Sequence, residues 1–281
     1  MHTLIYTFLA LLAFAGNSVL CRLALANNLI EPVYFTQIRL LSGAVCLLLI
    51  ALCFTTTRSA QSLLSAGSWR GAVALFVYAL FFSLAYVSLD TATGALVLFS
   101  VVQFTLIALY LRAGHTMAAR QWMSVLLAMS GLFVLLVPGV SNPSPLGIGL
   151  MAIAGAAWGL YTHLGTHSRQ PLADTTANFM RTLPLCLLLL FLPTAQSWAT
   201  QEGVILAILS GALASGAGYA VWYYVLPRLT GLQAGLSQLT VPLLAALAGF
   251  ALLGEAISWQ LLLSGLLILT GIALLQYSRQ G

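Results

Sequence analysis

Apolar stretches of about 20 residues follow one another along almost the whole chain, separated by connections of only a few residues. A stretch of that length is a membrane-spanning helix, because in hydrocarbon a backbone must satisfy its own N–H and C=O groups within the segment. Windows of this width place spans near 4–24, 32–54, 69–89, 91–111, 121–137, 146–166, 175–193, 203–226, 230–253 and 258–277. At the two tightest connections, after Leu89 and after Leu226, the apolar run is far too long for one helix, so a hairpin is required. The expected fold class is therefore an all-α polytopic membrane protein of ten transmembrane helices. Only 5% of the residues are charged, against about a quarter in a soluble domain, so no soluble surface can be made. Ten spans consume nearly all of the 281 residues and leave no room outside the bilayer for a catalytic, nucleotide-binding or receptor domain.

The stretch from Leu4 to Leu25 is too long for a signal-peptide core and lacks a basic segment before it, so it is read as the first span. Loop charges orient the bundle. With the N-terminus in the cytoplasm, Arg58, Arg70, Arg112, Arg120, Arg169, Arg228 and Arg279 fall in cytoplasmic connections and the tail, and the outer connections hold no Arg. Adding or dropping one helix would exchange the sides of everything after it, so the pattern favours ten spans with both termini cytoplasmic. Glu31, Asp90, Glu202 and Glu255 then lie outside and Asp174 inside. The arginines are scattered singly, which excludes a nucleic-acid footprint. Cys21, Cys46, Cys53 and Cys186 sit in apolar stretches without ligand spacing, so neither disulfide, metal nor cofactor is expected.

The halves 1–140 and 141–281 can be laid on one another about the proline-rich connection 138–145. Gly114 then matches Gly254, Gly131 matches Gly271, and Arg39 falls opposite Arg181. Five helices per half is an odd number, so the second half enters the membrane from the opposite side. That is an inverted-topology repeat, an arrangement that provides two related conformations and places a binding site where the halves meet.

The second half carries Gln233-Ala-Gly-Leu-Ser-Gln-Leu-Thr-Val-Pro242, then Gly254-Glu255 and a terminal Gly271-Ile-Ala-Leu-Leu. With these motifs, ten spans and this length, the chain resembles the EamA family of the drug/metabolite transporter superfamily over essentially its whole extent. Within that superfamily it is most similar to the YddG-type exporters of aromatic and other neutral amino acids. The resemblance implies two inverted five-helix EamA repeats around a central cavity. One departure is that His115 follows Gly114 where the family usually has an acid.

In the resembled family the first, third, fourth, sixth, eighth and ninth helices surround the cavity. On that basis Tyr78, Phe82, Tyr86, Phe99, Trp158, Tyr161, Tyr219 and Trp222 become candidate walls, and Asn17, Gln103 and Gln238 candidate hydrogen-bonding groups. From the residues alone, such an aromatic stripe is also what packing or an interfacial belt produces. Tyr78, Phe82 and Trp158 sit away from the span ends, where the belt explanation weakens. No carboxylate lies deep in any span, so the lining suits an uncharged or zwitterionic solute. His163 is the histidine well inside a helix and the natural carrier of any proton coupling, although bonding to a neighbouring helix or to water explains it equally. Arg22 either draws a substrate carboxylate or pairs with Glu31 or Asp90. Arg39 and Arg181 are read as snorkelling or pairing at helix ends in preference to binding a ligand.

The expected function is a secondary transporter, without catalytic residues, that exports amino acids and related metabolites as a monomer in the lipid bilayer. The alternatives are a carrier of another small metabolite, such as a sugar phosphate or drug-like solute, and an intramembrane enzyme. A phosphate carrier wants convergent Lys or Arg, and the chain has no Lys. Gly235-Leu-Ser237-Gln fits a protease nucleophile pattern, but the last histidine, His167, precedes it, whereas rhomboid-like proteases use a later one as base. A P-loop with its Lys is absent from the sequence.

Overall fold

The computed structural model describes residues 2–54, 66–136, 144–189, 198–255 and 259–277. Arg58, Arg279 and most of the connection between the two halves lie outside the described residues. The helices are α1 (His2–Ala26), α2 (Pro32–Phe54), α3 (Trp69–Tyr86), α4 (Thr91–Arg112), α5 (Ala119–Leu136), α6 (Pro145–Thr166) and α7 (Pro171–Leu188). They continue with α8 (Gln201–Arg228), α9 (Gly231–Gln238), α10 (Val241–Leu253) and α11 (Trp259–Tyr277). Six of them, α1, α2, α3, α4, α6 and α8, are long and apolar enough to cross a membrane. At the four other expected spans the described residues form α5, α7, the pair α9 and α10, and α11.

Local sequence sets the helix boundaries. Ser68, Ser144 and Thr200 each accept from the backbone N–H three residues on, at Gly71, Gly147 and Gly203. Each satisfies a donor that the first helical turn leaves open. Pro145 and Pro171 occupy first-turn positions, where a missing N–H costs nothing. The expected span 230–253 is interrupted between Gln238 and Val241. Pro242 explains the break: it has no N–H to donate to the Gln238 carbonyl, and its ring crowds that carbonyl, while as a first-turn residue it fits the start of α10. Gly254 closes α10 in the left-handed region, at φ 69°.

α8 is continuous but not uniform. Ser210–Ala217 is a π-helical segment set between α-helical turns. Its hydrogen bonds run i→i+5, so residues five apart face the same way. The segment is built of small residues, and α2 lies directly on it: a Cβ built on Gly211 would run into the Ser42 hydroxyl and the Arg39 carbonyl.

The molecule is apolar on the outside. Leu4, Phe133 and Leu252 are 73%, 72% and 68% exposed, while Asn17, Arg39, Gln103 and Gln238 are buried. A surface of that kind is solvated by lipid, not water. Inside, α6 packs on α3 and α4, α1 on α8 and α10, α2 on α7 and α8, α3 on α7, and α5 on α11. Gly155 and Gly159 permit the α6–α4 approach: a Cβ on Gly155 would lie 2.6 Å from the Leu98 carbonyl oxygen, and one on Gly159 2.8 Å from Thr105 Cβ.

Candidate functional site

The side chains of α1, α3, α6 and α8 converge on one aromatic cluster. Tyr78 lies 5.2 Å from Phe82 and 4.8 Å from Trp158, and Trp158 lies 4.9 Å from Tyr219 and 5.7 Å from Tyr161. Phe82 continues the chain of rings to Tyr86 at 4.7 Å, and Tyr161 continues it to Tyr223 at 5.2 Å. Phe14, unnoticed in the sequence, meets Trp158, Tyr219 and Trp222 edge-on at 5.4–5.8 Å. Ring pairs at these separations each add about 0.5–1.5 kcal/mol to the area they bury.

Polar groups thread the cluster. Ser210 Oγ donates to Asn17 Oδ1 at 2.7 Å, and Asn17 Nδ2 donates to the Tyr78 hydroxyl at 3.3 Å. The Trp158 indole N–H donates to Gln238 Oε1 at 2.6 Å, which ties α6 to α9. Gln103 is buried against Gly235, and its amide has no hydrogen-bond partner among the described residues; the same holds for Trp222 Nε1. Eleven of the twelve candidate residues are therefore buried in one core. Phe99 is buried without a ring contact to the others among the described residues. His163 stands apart: half-buried near the end of α6, it has its ring 5.1 Å from that of His167.

Arg39 corrects the reading from sequence. It neither snorkels nor pairs at a helix end; it is 1% exposed and lies inside the cluster. Its Nη2 donates to the Tyr78 hydroxyl at 3.1 Å and its Nε to Ser215 Oγ at 3.2 Å. The guanidinium carbon sits 5.2 Å from the centre of the Tyr78 ring and 5.0 Å from that of Phe82. Ser210 and Ser215, five apart in the π-helical segment, reach Asn17 and Arg39 respectively. The core is thus not uncharged, as the missing carboxylates suggested, but cationic.

The two ends of the bundle differ. At the Asp90 end, Arg22 donates to Asp90 Oδ1 and to the Tyr86 carbonyl, both at 3.2 Å, and lies 4.0 Å from Glu255. Pairing with Asp90 is one of the two readings the sequence left open for Arg22. Glu255 also accepts from the N–H and hydroxyl of Thr91 and so caps α4. Residues 29–31 lie along 198–200 there through the Ile30–Ala199 bridge. At the opposite end, Asp174 accepts from the Gly67 N–H and the Ser168 hydroxyl. A cavity of 190 Å³ opens beside it and reaches inward to Tyr161, Asn178 and Tyr223.

Residues 145–277 match the model of the EamA-like transporter family. Over 280 residues, all of this chain and 96% of its relative, the sequence is 50% identical to a Pseudomonas aeruginosa protein described as "Uncharacterized protein PA1977". The second half of the chain thus carries an EamA-like transporter domain. The protein is a multi-pass membrane protein, and the family its second half matches is one of small-solute transporters. A crystal structure 19% identical in sequence, covering 97% of this chain and 96% of its own, superposes with a TM-score of 0.75 and shares the fold.

The rings and amides were legible in the sequence, but not the partners that come from elsewhere in the fold. Phe14, Ser210, Ser215 and Phe179, whose ring lies 5.6 Å from that of Tyr219, carry no signal beyond being apolar or small. Arg39 carried one: it lies on the α2 face that also holds Thr36 and Gly43, all three buried. A charge on the small-residue face of a span points inward, not to lipid.

Proposed function

We propose that the protein is a secondary transporter that exports amino acids, aromatic and other neutral ones, together with related metabolites across the inner membrane by alternating access. The observation that carries this reading is the aromatic core with its buried amides, Asn17, Gln103 and Gln238, which offers rings to an apolar side chain and hydrogen bonds to a polar backbone. Ten spans in two inverted repeats supply the two-state frame. In support, α3 lies on α6 as α8 lies on α1, and α3 on α7 as α8 on α2, which is the exchange a repeat of five helices requires. Gly114 and Gly254, paired by the repeat, both take left-handed geometry, at φ 84° and 69°.

The test is reconstitution in liposomes with a panel of amino acids, with and without an imposed pH gradient. Flux of aromatic or neutral amino acids is expected; no amino-acid flux beside flux of another solute class in the same vesicles overturns the substrate claim. A C-terminal fluorescent-protein fusion that glows, beside an inactive alkaline-phosphatase fusion at the same point, is expected for cytoplasmic termini.

A further inference from the structure

We propose that Arg39 is an anion subsite: its guanidinium takes the carboxylate of the transported solute, whose apolar body lies among Tyr78, Phe82, Trp158 and Tyr219. The proposal rests on the transporter reading of this core and names the group it recognises.

The charge on Arg39 is uncompensated. Glu31 precedes α2, Asp90 precedes α4, Asp174 and Glu202 sit in the first turns of α7 and α8, and Glu255 follows α10. These are all five acids of the chain, and the ion pairs among the described residues belong to Arg22. Arg39 has only neutral partners, the hydroxyls of Tyr78 and Ser215, and its Nη1 has none among the described residues. A guanidinium is always protonated in proteins, so neutralisation by proton loss is closed to it. Rings beneath a cation recover part of the desolvation cost but provide no counter-charge. A buried ionised group in a membrane protein is costly and marks a pathway or a partner; here the partner is not in the chain.

The surroundings define the ligand. One guanidinium balances one negative charge, whereas a phosphate dianion calls for several cations. Two other helical arginines are engaged elsewhere: Arg22 with Asp90, and Arg181 with the Ala66 carbonyl. The Tyr78 hydroxyl already accepts from both Arg39 and Asn17. Its own hydrogen is left to donate, beside the Nη1 that lacks an acceptor among the described residues. A carboxylate oxygen suits both donors, and the four rings beside them suit an aromatic body. Ser215 of the π-helical segment ties Arg39 to α8.

The experiment compares three probes of one shape: L-phenylalanine, 3-phenylpropionate, which lacks the amine, and phenethylamine, which lacks the carboxylate. Each is added to the purified full chain and to Arg39→Gln and Arg39→Lys while Tm is recorded, and each competes for flux in liposomes. Both carboxylates are expected to raise the wild-type Tm and phenethylamine to leave it unchanged. Arg39→Gln is expected to weaken carboxylate binding about tenfold or more, the loss of one charge-assisted hydrogen bond, and Arg39→Lys less. Without ligand, Arg39→Gln should match or exceed the wild-type Tm, because an uncompensated charge is removed; a purely structural arginine would give the opposite. Phenethylamine binding the wild type as well as 3-phenylpropionate, no carboxylate-induced shift in the wild type, or unchanged carboxylate affinity in Arg39→Gln overturns the proposal. The wild-type comparison decides the matter even if Arg39→Gln does not fold. Carboxylate binding that needs Arg39 but accompanies no flux would remove the transporter reading and leave the subsite. Phenylalanine flux indifferent to Arg39→Gln would do the reverse.

Discussion

The Trp158 indole nitrogen and Gln238 Oε1 lie 2.6 Å apart and join α6 to α9 inside the aromatic core. Both residues are buried, so removing either one strands the other away from water. Trp158→Phe or Gln238→Leu should each lose about 1–3 kcal/mol through the unpaired group, in addition to any packing defect. The double variant should lose less than the sum, because replacing both partners leaves nothing stranded. Thermal unfolding of the four proteins in one detergent measures this, and strict additivity would deny the bond.

Two glycines make opposite predictions. A Cβ on Gly211 has no room between Ser42 and the Arg39 carbonyl, so Gly211→Ala pushes α2 off the π-helical segment and lowers Tm together with transport. Around Gly16 nothing lies within 4 Å of an added Cβ. Gly16→Ala should therefore gain about 0.5–1 kcal/mol from the restricted helix backbone. Equal effects at the two positions would contradict the packing described.

At the Asp90 end, the cap should outweigh the ion pair. Glu255→Leu removes both bonds to Thr91 at the start of α4 and should cost about 1 kcal/mol. Asp90→Asn loosens a pair whose Asp side chain is 48% exposed, and should cost less than that and lose even this difference in high salt. Tm at low and high ionic strength separates the two.

His163 is half-buried beside His167 and makes no contact with the rings around Arg39 among the described residues. His163→Ala should therefore keep both the apparent KM and the pH profile of transport. A flattened pH profile with an unchanged KM would instead make this histidine the proton carrier.

The membrane class was legible because hydrocarbon imposes one rule on every span, and the rule is written in length and apolarity. Tyr78, Phe82 and Trp158 were legible as a set because rings away from the span ends stand out against Leu, Ile and Val. The break before Val241 could be anticipated from Pro242, whose effect is local. The π-helical segment could not be read from Ser210 to Ala217, since small residues fit an α-helix equally well and it is the packing of α2 that makes use of the wider turn.

Arg39 separates what each source decided. Its identity, its charge and its place in an apolar span are properties of the sequence, and so is the shortage of acids that could answer it. Whether that charge reaches lipid headgroups or turns inward depends on which helices stand beside α2. That was decided only when α3 and α8 brought Tyr78 and Ser215 to it, because burial belongs to neighbours distant in the chain and leaves no mark at the residue itself.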